Sequence, residues 1–255
     1  MLRLSSRYKP IPEDACLKTL GNASQQGFGA TIKTISWNMF KARRVGCMPD
    51  LTTLTAGAEL VLLQEAVLHG GLAQPFHLTS GLEWIMAENF GTEHHAVTTG
   101  PKTGSRVAAL SSHAIRSLDR EPLIDTPKSF LLTTYPFGDQ QLLVANVHAI
   151  NLVTTAKFAR QIAQIVAPVA AHKGPCIVAG DFNTWNPPRW HLLLKSMADV
   201  GLTRVPAAAP QWRHFNQVLD HVFYRGLKLM DARPLTHVKS SDHVPLWAEF
   251  CGEGK

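Results

Sequence analysis

Short β-branched and aliphatic runs, most of them ending at or starting from a polar residue, recur along this chain, and that pattern admits few folds. They fall at residues 31–37, 60–63, 107–111, 130–135, 141–148, 176–179, 221–224 and 244–250. Each has the length of a core strand and is too short for a typical helix. Between His148 and Cys176, Phe158, Ile162, Ile165, Val166 and Val169 recur at spacings of four, three, one and three, which predicts one face of a helix. Thr154 or Thr155 can cap its start, and Gly174-Pro175 stops it. Strand, amphipathic helix, strand is the crossover of an α/β layer protein. Residues 1–30, rich in Pro, Gly, Ser, Asn and Gln, read as an extended or flexible leader, and residues 31–255 as one domain. The run PAAAP at 206–210 is a turn-rich loop within it.

Composition narrows the class further. With 45% hydrophobic and 17% charged residues over 255 positions, the chain can bury a core and is neither disordered nor a small disulfide-stapled scaffold. Lys and Arg exceed Asp and Glu by six, which allows an anionic partner without demanding one. Apolar stretches are interrupted before they reach a membrane span, and the N-terminus lacks the apolar core of a secretory signal. Cys16, Cys47, Cys176 and Cys251 lie far apart and form no C-x-x-C pair, so a reducing cytoplasm is the expected location.

Chemistry gathers where the runs meet polar residues. The run 176–179 passes through Gly180 into Asp181 and Asn183, side chains that orient water or phosphate, or that simply close an Asx-turn. Asp242 and His243 precede the last strand: a carboxylate suits a hard Mg²⁺ ion, and an imidazole suits proton transfer or phosphate binding. Asp220 lies 23 residues before His243, and a hairpin could bring the two together so that the aspartate fixes the imidazole tautomer. Glu65 ends an almost wholly apolar run and needs a counter-charge if buried, which a metal ion would supply. Asn38 closes its strand as a turn or a ligand-holding amide, while His148 and Asn151 follow the strand before the helix. Lys41, Arg43 and Arg44 can meet a polyanion or form a solvated loop, and Trp185 can stack on a base or pack. His94-His95 has no carboxylate pair nearby and reads as background.

Taken in order, SWNMFKARR, LVLLQEA, VANVHAINL, VAGDFNTWN, LDHVFYRGL and SSDHVPLWAEF resemble the endonuclease/exonuclease/phosphatase superfamily over about residues 31–250, most of all its small bacterial YafD-type members. The resemblance implies a four-layer α/β sandwich of two face-to-face mixed β-sheets flanked by helices, with the active site at one edge of the sheets. It also implies a Mg²⁺ ion, or Mn²⁺ as a substitute, held by Glu65 with Asn38 and Asp242. Asp181 would transfer protons, Asn183 would hold Asp181 or a phosphate oxygen, and His243, oriented by Asp220, would contact the phosphate. His148 stands where relatives carry a histidine or a tyrosine, and Asn151 adds a hydrogen bond.

Such parts suffice for in-line displacement at phosphorus by water, with either His243 or Asp181 as the activating group. The function expected is a metal-dependent phosphodiesterase, foremost a nuclease. A phosphatase or sphingomyelinase-like enzyme acting on a small-molecule or lipid phosphoester is the alternative, and a non-catalytic binding protein on the same fold is a further one. For a nucleic-acid substrate, Lys41, Arg43, Arg44, Lys102, Arg106, Arg189 and Arg225 would line a rim that tracks phosphates, with Arg43 and Arg106 as substrate-binding residues.

Overall fold

The computed structural model describes residues 8–69, 74–92, 97–122, 126–206 and 218–252. In chain order the strands are β1 (Tyr8–Pro10), β2 (Leu17–Leu20), β3 (Thr31–Asn38), β4 (Leu60–His69), β5 (Glu83–Ala87), β6 (Phe90–Thr92) and β7 (Val97–Ser105) in a first sheet. A second sheet takes β8 (Ser111–Arg120), β9 (Pro127–Phe137), β10 (Gln140–His148), β11 (Cys176–Asp181), β12 (Thr203–Arg204) and β13 (Asp220–Arg225). The chain then returns to the first sheet with β14 (Leu227–Pro234) and β15 (Leu246–Gly252). Helices α1 (Cys47–Ala56), α2 (Gln74–Thr79), α3 (Thr155–Ala171) and α4 (Pro187–Ala198), with 3-10 turns at Glu13–Ala15 and Phe40–Ala42, complete the described elements.

Both sheets are mixed. β3 pairs in parallel with β4, and β10 with β11, inside otherwise antiparallel sheets. The central strands are apolar on both faces because both faces are covered. Leu60 and Leu62 point into the core between the sheets, where they join Leu142, Val144, Ile177 and Val222 of the second sheet. Val61 and Leu63 point the other way and pack with Leu51 and Leu54 of α1. On the far side, Phe158, Ile162 and Ile165 of α3 cover Val147 and Val178. The result is the expected sandwich: helix, sheet, sheet, helix. The face predicted for residues 158–169 is buried, and the Thr154 side chain caps α3 by accepting from Lys157 N.

Two expectations change in detail. Residues 107–111 do not form a strand of their own. Ser105 Oγ accepts Val107 N, and Val107 makes a single bridge to Gln25 before β8 begins at Ser111, so the run turns the corner between β7 and β8. Within the stretch read as a leader, β1 and β2 pair with β6 and β5, and Cys16 between them is buried.

Register then places the polar strand ends together. In the second sheet, His148 lies opposite Asp181 and Asp181 opposite Asp220, so three neighbouring strands deliver three candidate site residues in one row. In the first, Asn38 lies opposite Gln64, next to Glu65.

Candidate active site

Gly180 makes one of the tight backbone approaches at this end of the sandwich. Its φ is +144°, and a Cβ built there would lie 1.9 Å from the Val147 carbonyl oxygen, so only glycine lets β11 press against β10 here. Beyond it, Asp181 Oδ1 accepts Asn183 N at 2.9 Å and Oδ2 accepts Asn38 Nδ2 at 3.0 Å. The Asx-turn therefore forms, and it also aims the carboxylate. Asn183, at φ 51°, donates its side-chain amide to Ala149 O at 2.8 Å. Asn38 accepts Phe40 N through Oδ1, which fixes which end of its amide faces Asp181.

His243 Nδ1 lies 2.7 Å from Asp220 Oδ2, the contact anticipated from their spacing, and its Nε2 faces Asp181 Oδ2 at 3.9 Å. Ser241 Oγ donates to Asn38 O at 2.6 Å, and Arg44 Nη1 donates to Ser241 O, so the Ser-Asp-His segment is tied to the first sheet. His148 Nε2 is 3.7 Å from Asp181 Oδ2 and 3.9 Å from Glu65 Oε1. Glu65 occupies a bulge where the β4–β7 register shifts between Leu63 and Ala66, with φ 49°. A bulge of this kind turns a side chain out of the strand's alternation.

Asn38, Glu65, His148, Asp181, Asn183 and His243, together with Asp242 and Asn151, line one open cavity of about 600 Å³. Its electrostatics follow from crowding. Burial would lower the His243 imidazole, but Asp220, Asp181 and Asp242 outweigh it and hold the ring cationic. Burial raises the Asp181 carboxyl, Asp220 adds to this, and His243 opposes it. Burial, then the charges of Lys128, Lys41 and His243, push His148 well below the ordinary imidazole range, so it is neutral. Burial would raise Glu65 as well, yet Lys128, Lys41 and His243 keep it ionised.

A divalent cation fits the donor set. Asn38, Glu65 and Asp242 offer hard oxygens to the same cavity. Glu65 stands 3.5 Å from Lys41 Nζ and 3.9 Å from Lys128 Nζ, both longer than a charge-assisted hydrogen bond. The neighbouring cluster of Asp181, Asp220 and His243, with ligand atoms within 4.8 Å of one another, is engaged internally through the Asp220–His243 bond.

The basic rim is smaller than the sequence implies. Arg106 is not at the site: its guanidinium donates to Thr55, Ala56 and Ala58 carbonyls at the end of α1, where a cation meets unpaired backbone oxygens. Arg225 likewise holds the Val169, His172 and Val200 carbonyls. Lys102 is buried elsewhere, under α1 and α2. Arg189 is 0% exposed and clamps the carbonyls of Ile150, Val153 and Asn183, with its guanidinium 5.0 Å from the Trp185 ring. Arg43 is exposed and sits 5.4 Å over Phe40, which lines the cavity, so of the two proposed substrate-binding arginines it alone borders the site. Trp185 is 37% exposed and lines the cavity, rather than packing inside. His94-His95 and residues 207–210 lie outside the described residues.

Lys128 and Glu121 escaped sequence reasoning. Lys128 lies between Glu65 and Glu121 (3.7 Å), and Glu121 Oε1 accepts Asn151 N at 2.8 Å. Both belong to a polar stretch with no motif of its own. Arg189→Leu is expected to cost about 2 kcal/mol, because three carbonyls lose their donor. A fall of several degrees in melting temperature, with weakened substrate binding as Asn183 and Trp185 loosen, is the measurement; an unchanged melt would contradict the clamp.

A family model described as the Endonuclease/Exonuclease/phosphatase family matches residues 35–243. A UPF0294 protein of Yersinia pseudotuberculosis is 36% identical over 222 residues, covering 86% of this chain and 83% of that protein. An endonuclease/exonuclease/phosphatase structure from Beutenbergia cavernae superposes with a TM-score of 0.67 at 16% identity, over 89% of this chain and 72% of that one. The 3′ phosphatase NExo from Neisseria, bound to a product DNA hairpin, gives 0.62 at 19% identity, over 86% of this chain and 99% of that one.

Proposed function

The chain belongs to the endonuclease/exonuclease/phosphatase family, and from that premise we propose that it is a Mg²⁺-dependent phosphodiesterase acting on nucleic acid. The observation that carries this reading is the meeting of Asn38, Glu65, His148, Asp181, Asn183, Asp242 and His243 around one cavity, from strand ends of two different sheets. Glu65, Asp242 and Asn38 would hold the ion, which would supply Lewis-acid stabilisation of the charge on the phosphoryl oxygens. His243, cationic and pinned by Asp220, is a donor to a phosphoryl oxygen and has no lone pair with which to accept a proton. Asp181 is therefore the group that takes the proton of the attacking water, while Asn38 and the Asn183 backbone hold its carboxylate. His148, neutral, accepts or donates one hydrogen bond beside them, and Lys128 and Lys41 offset the charge of the phosphate.

Nucleic acid is favoured by Trp185, a ring on which a base can stack at the cavity edge, with Lys41 on the same cavity lining and Arg43 over the lining residue Phe40 as phosphate contacts. A fold neighbour whose structure is bound to a product DNA hairpin supports the same direction. A phosphatase or sphingomyelinase-like activity on a small-molecule or lipid phosphoester is the second reading. It draws on Leu152, 57% exposed at the same rim, and on the withdrawal of Lys102, Arg106, Arg189 and Arg225 from it. A non-catalytic role fits less well, because each position around the cavity carries competent chemistry. We place the protein in the cytoplasm on the wide separation of its four cysteines; among the described residues no helix is long and apolar enough to cross a membrane.

Turnover should fall at least tenfold in excess chelator and return with Mg²⁺ or Mn²⁺, since the donors are hard oxygens. Matched assays on single- and double-stranded nucleic acid, sugar phosphates and phospholipid vesicles, across a salt series, decide the substrate. Full turnover in chelator would remove the metal from the mechanism. Rapid vesicle hydrolysis with negligible nucleic-acid cleavage would favour the second reading.

A further inference from the structure

A second cavity, of about 270 Å³, lies on the outer face of the first sheet beneath α1 and α2. Most of its wall is apolar: Met48 and Leu51 come from α1, Leu63 and Val67 from β4, Phe76 from α2 and Trp84 from β5. Into this wall the fold sets one lysine. Lys102, on β7, is 4% exposed, and its ammonium contacts His77 Nε2 and lies 5.4 Å over the Trp84 ring.

Among the described residues no carboxylate pairs with Lys102. A buried ammonium is costly without a partner, and its desolvation pushes Lys102 down to about 7. With the lysine donating to Nε2, the His77 proton sits on Nδ1, which is buried and has no acceptor. Two donors thus share a buried apolar chamber that offers neither of them an anion. An anion entering the chamber would satisfy both donors at once.

We propose that this cavity binds an amphiphilic monocarboxylate, its head group on Lys102 and its apolar body between α1, α2 and the sheet. A carboxylate supplies the missing counter-charge and accepts from the ammonium in the charge-assisted geometry. A cavity of about 150 Å³ holds benzene, so one nearly twice as large suits a body of roughly ten non-hydrogen atoms. Met48, 40% exposed on the lining, opens the chamber to the surface and gives such a chain its way in. The site is separate from the catalytic cavity and shares no lining residue with it.

The test uses the full chain, octanoate and 1-octanol, with binding measured by titration calorimetry. Octanoate should saturate one site per chain and bind at least tenfold more tightly than the alcohol of the same length. In Lys102→Met that preference should vanish while alcohol binding persists, because the apolar wall is intact. Leu51→Trp, which fills the chamber from α1, should abolish both. Absence of saturable octanoate binding to the unmodified chain, equal affinity for acid and alcohol, or unchanged octanoate affinity in Lys102→Met would each overturn the proposal.

Discussion

Asp181→Asn and His243→Asn are each expected to lower phosphoester turnover by roughly two or more orders of magnitude, with melting temperatures within a few degrees of the parent. Both substitutions keep shape and remove function. In the first, the side-chain oxygen still accepts Asn183 N, and the lost contact to Asn38, about 1 kcal/mol, is set against relief from burying a carboxylate. In the second, the amide nitrogen takes the place of Nδ1 and still donates to Asp220, but nothing replaces Nε2 beside Asp181. His243→Ala is the poorer probe, because it would strand the buried Asp220 carboxylate and cost stability for a reason unrelated to catalysis. Since the two groups face each other and act on one transition state, the double variant should lose less than the product of the single losses. Parent-like turnover in either single variant would dismantle the proposed centre.

Gly180→Ala should act through the fold. The new methyl would meet the Val147 carbonyl oxygen at 1.9 Å and its carbon at 2.9 Å, both backbone atoms of a central strand with nowhere to retreat. Adding the strain of φ +144° brings the cost to on the order of 4 kcal/mol, or a melting temperature lowered by about 10 °C. Activity should vanish with it, because the same approach sets His148 opposite Asp181. Gly138→Ala is the control. That glycine also has a positive φ, +60°, but its Cβ would meet open space, so only the backbone preference of about 1 kcal/mol is lost. Equal melting temperatures for the two variants would refute the close-approach argument.

The strand ends were legible because chemistry and burial conflict there: an Asp, Glu or His beside an apolar run demands an explanation, and Glu65, Asp181 and His243 all share one cavity. Basic residues carry no such tension. Arg106, Arg189 and Arg225 read as part of a phosphate-tracking rim, yet each satisfies backbone carbonyls that only the folded chain brings within reach. Lys102 was misread for the opposite reason, since nothing in its sequence neighbours announces that α1 and α2 will cover it. Among the strands, β8 and β14 went unseen because an edge strand with a wet face mixes polar and apolar residues without a buried run. Helix α1 hid behind a weak polar and apolar contrast, with Thr52, Thr53 and Thr55 returning hydroxyl bonds to its own carbonyls.

The bond from Asn38 to Asp181 ties residues 143 positions apart and joins one sheet to the other. Ribosomal synthesis therefore releases the first half of the proposed site long before the second exists. Contacts of such long range close late, after each sheet has organised its local hairpins. A nascent or partly folded chain can hold Asn38 and Glu65 in place and still be chemically inert toward the phosphoesters around it. If the proposed centre is the catalytic one, it is assembled only by the docking of the two sheets.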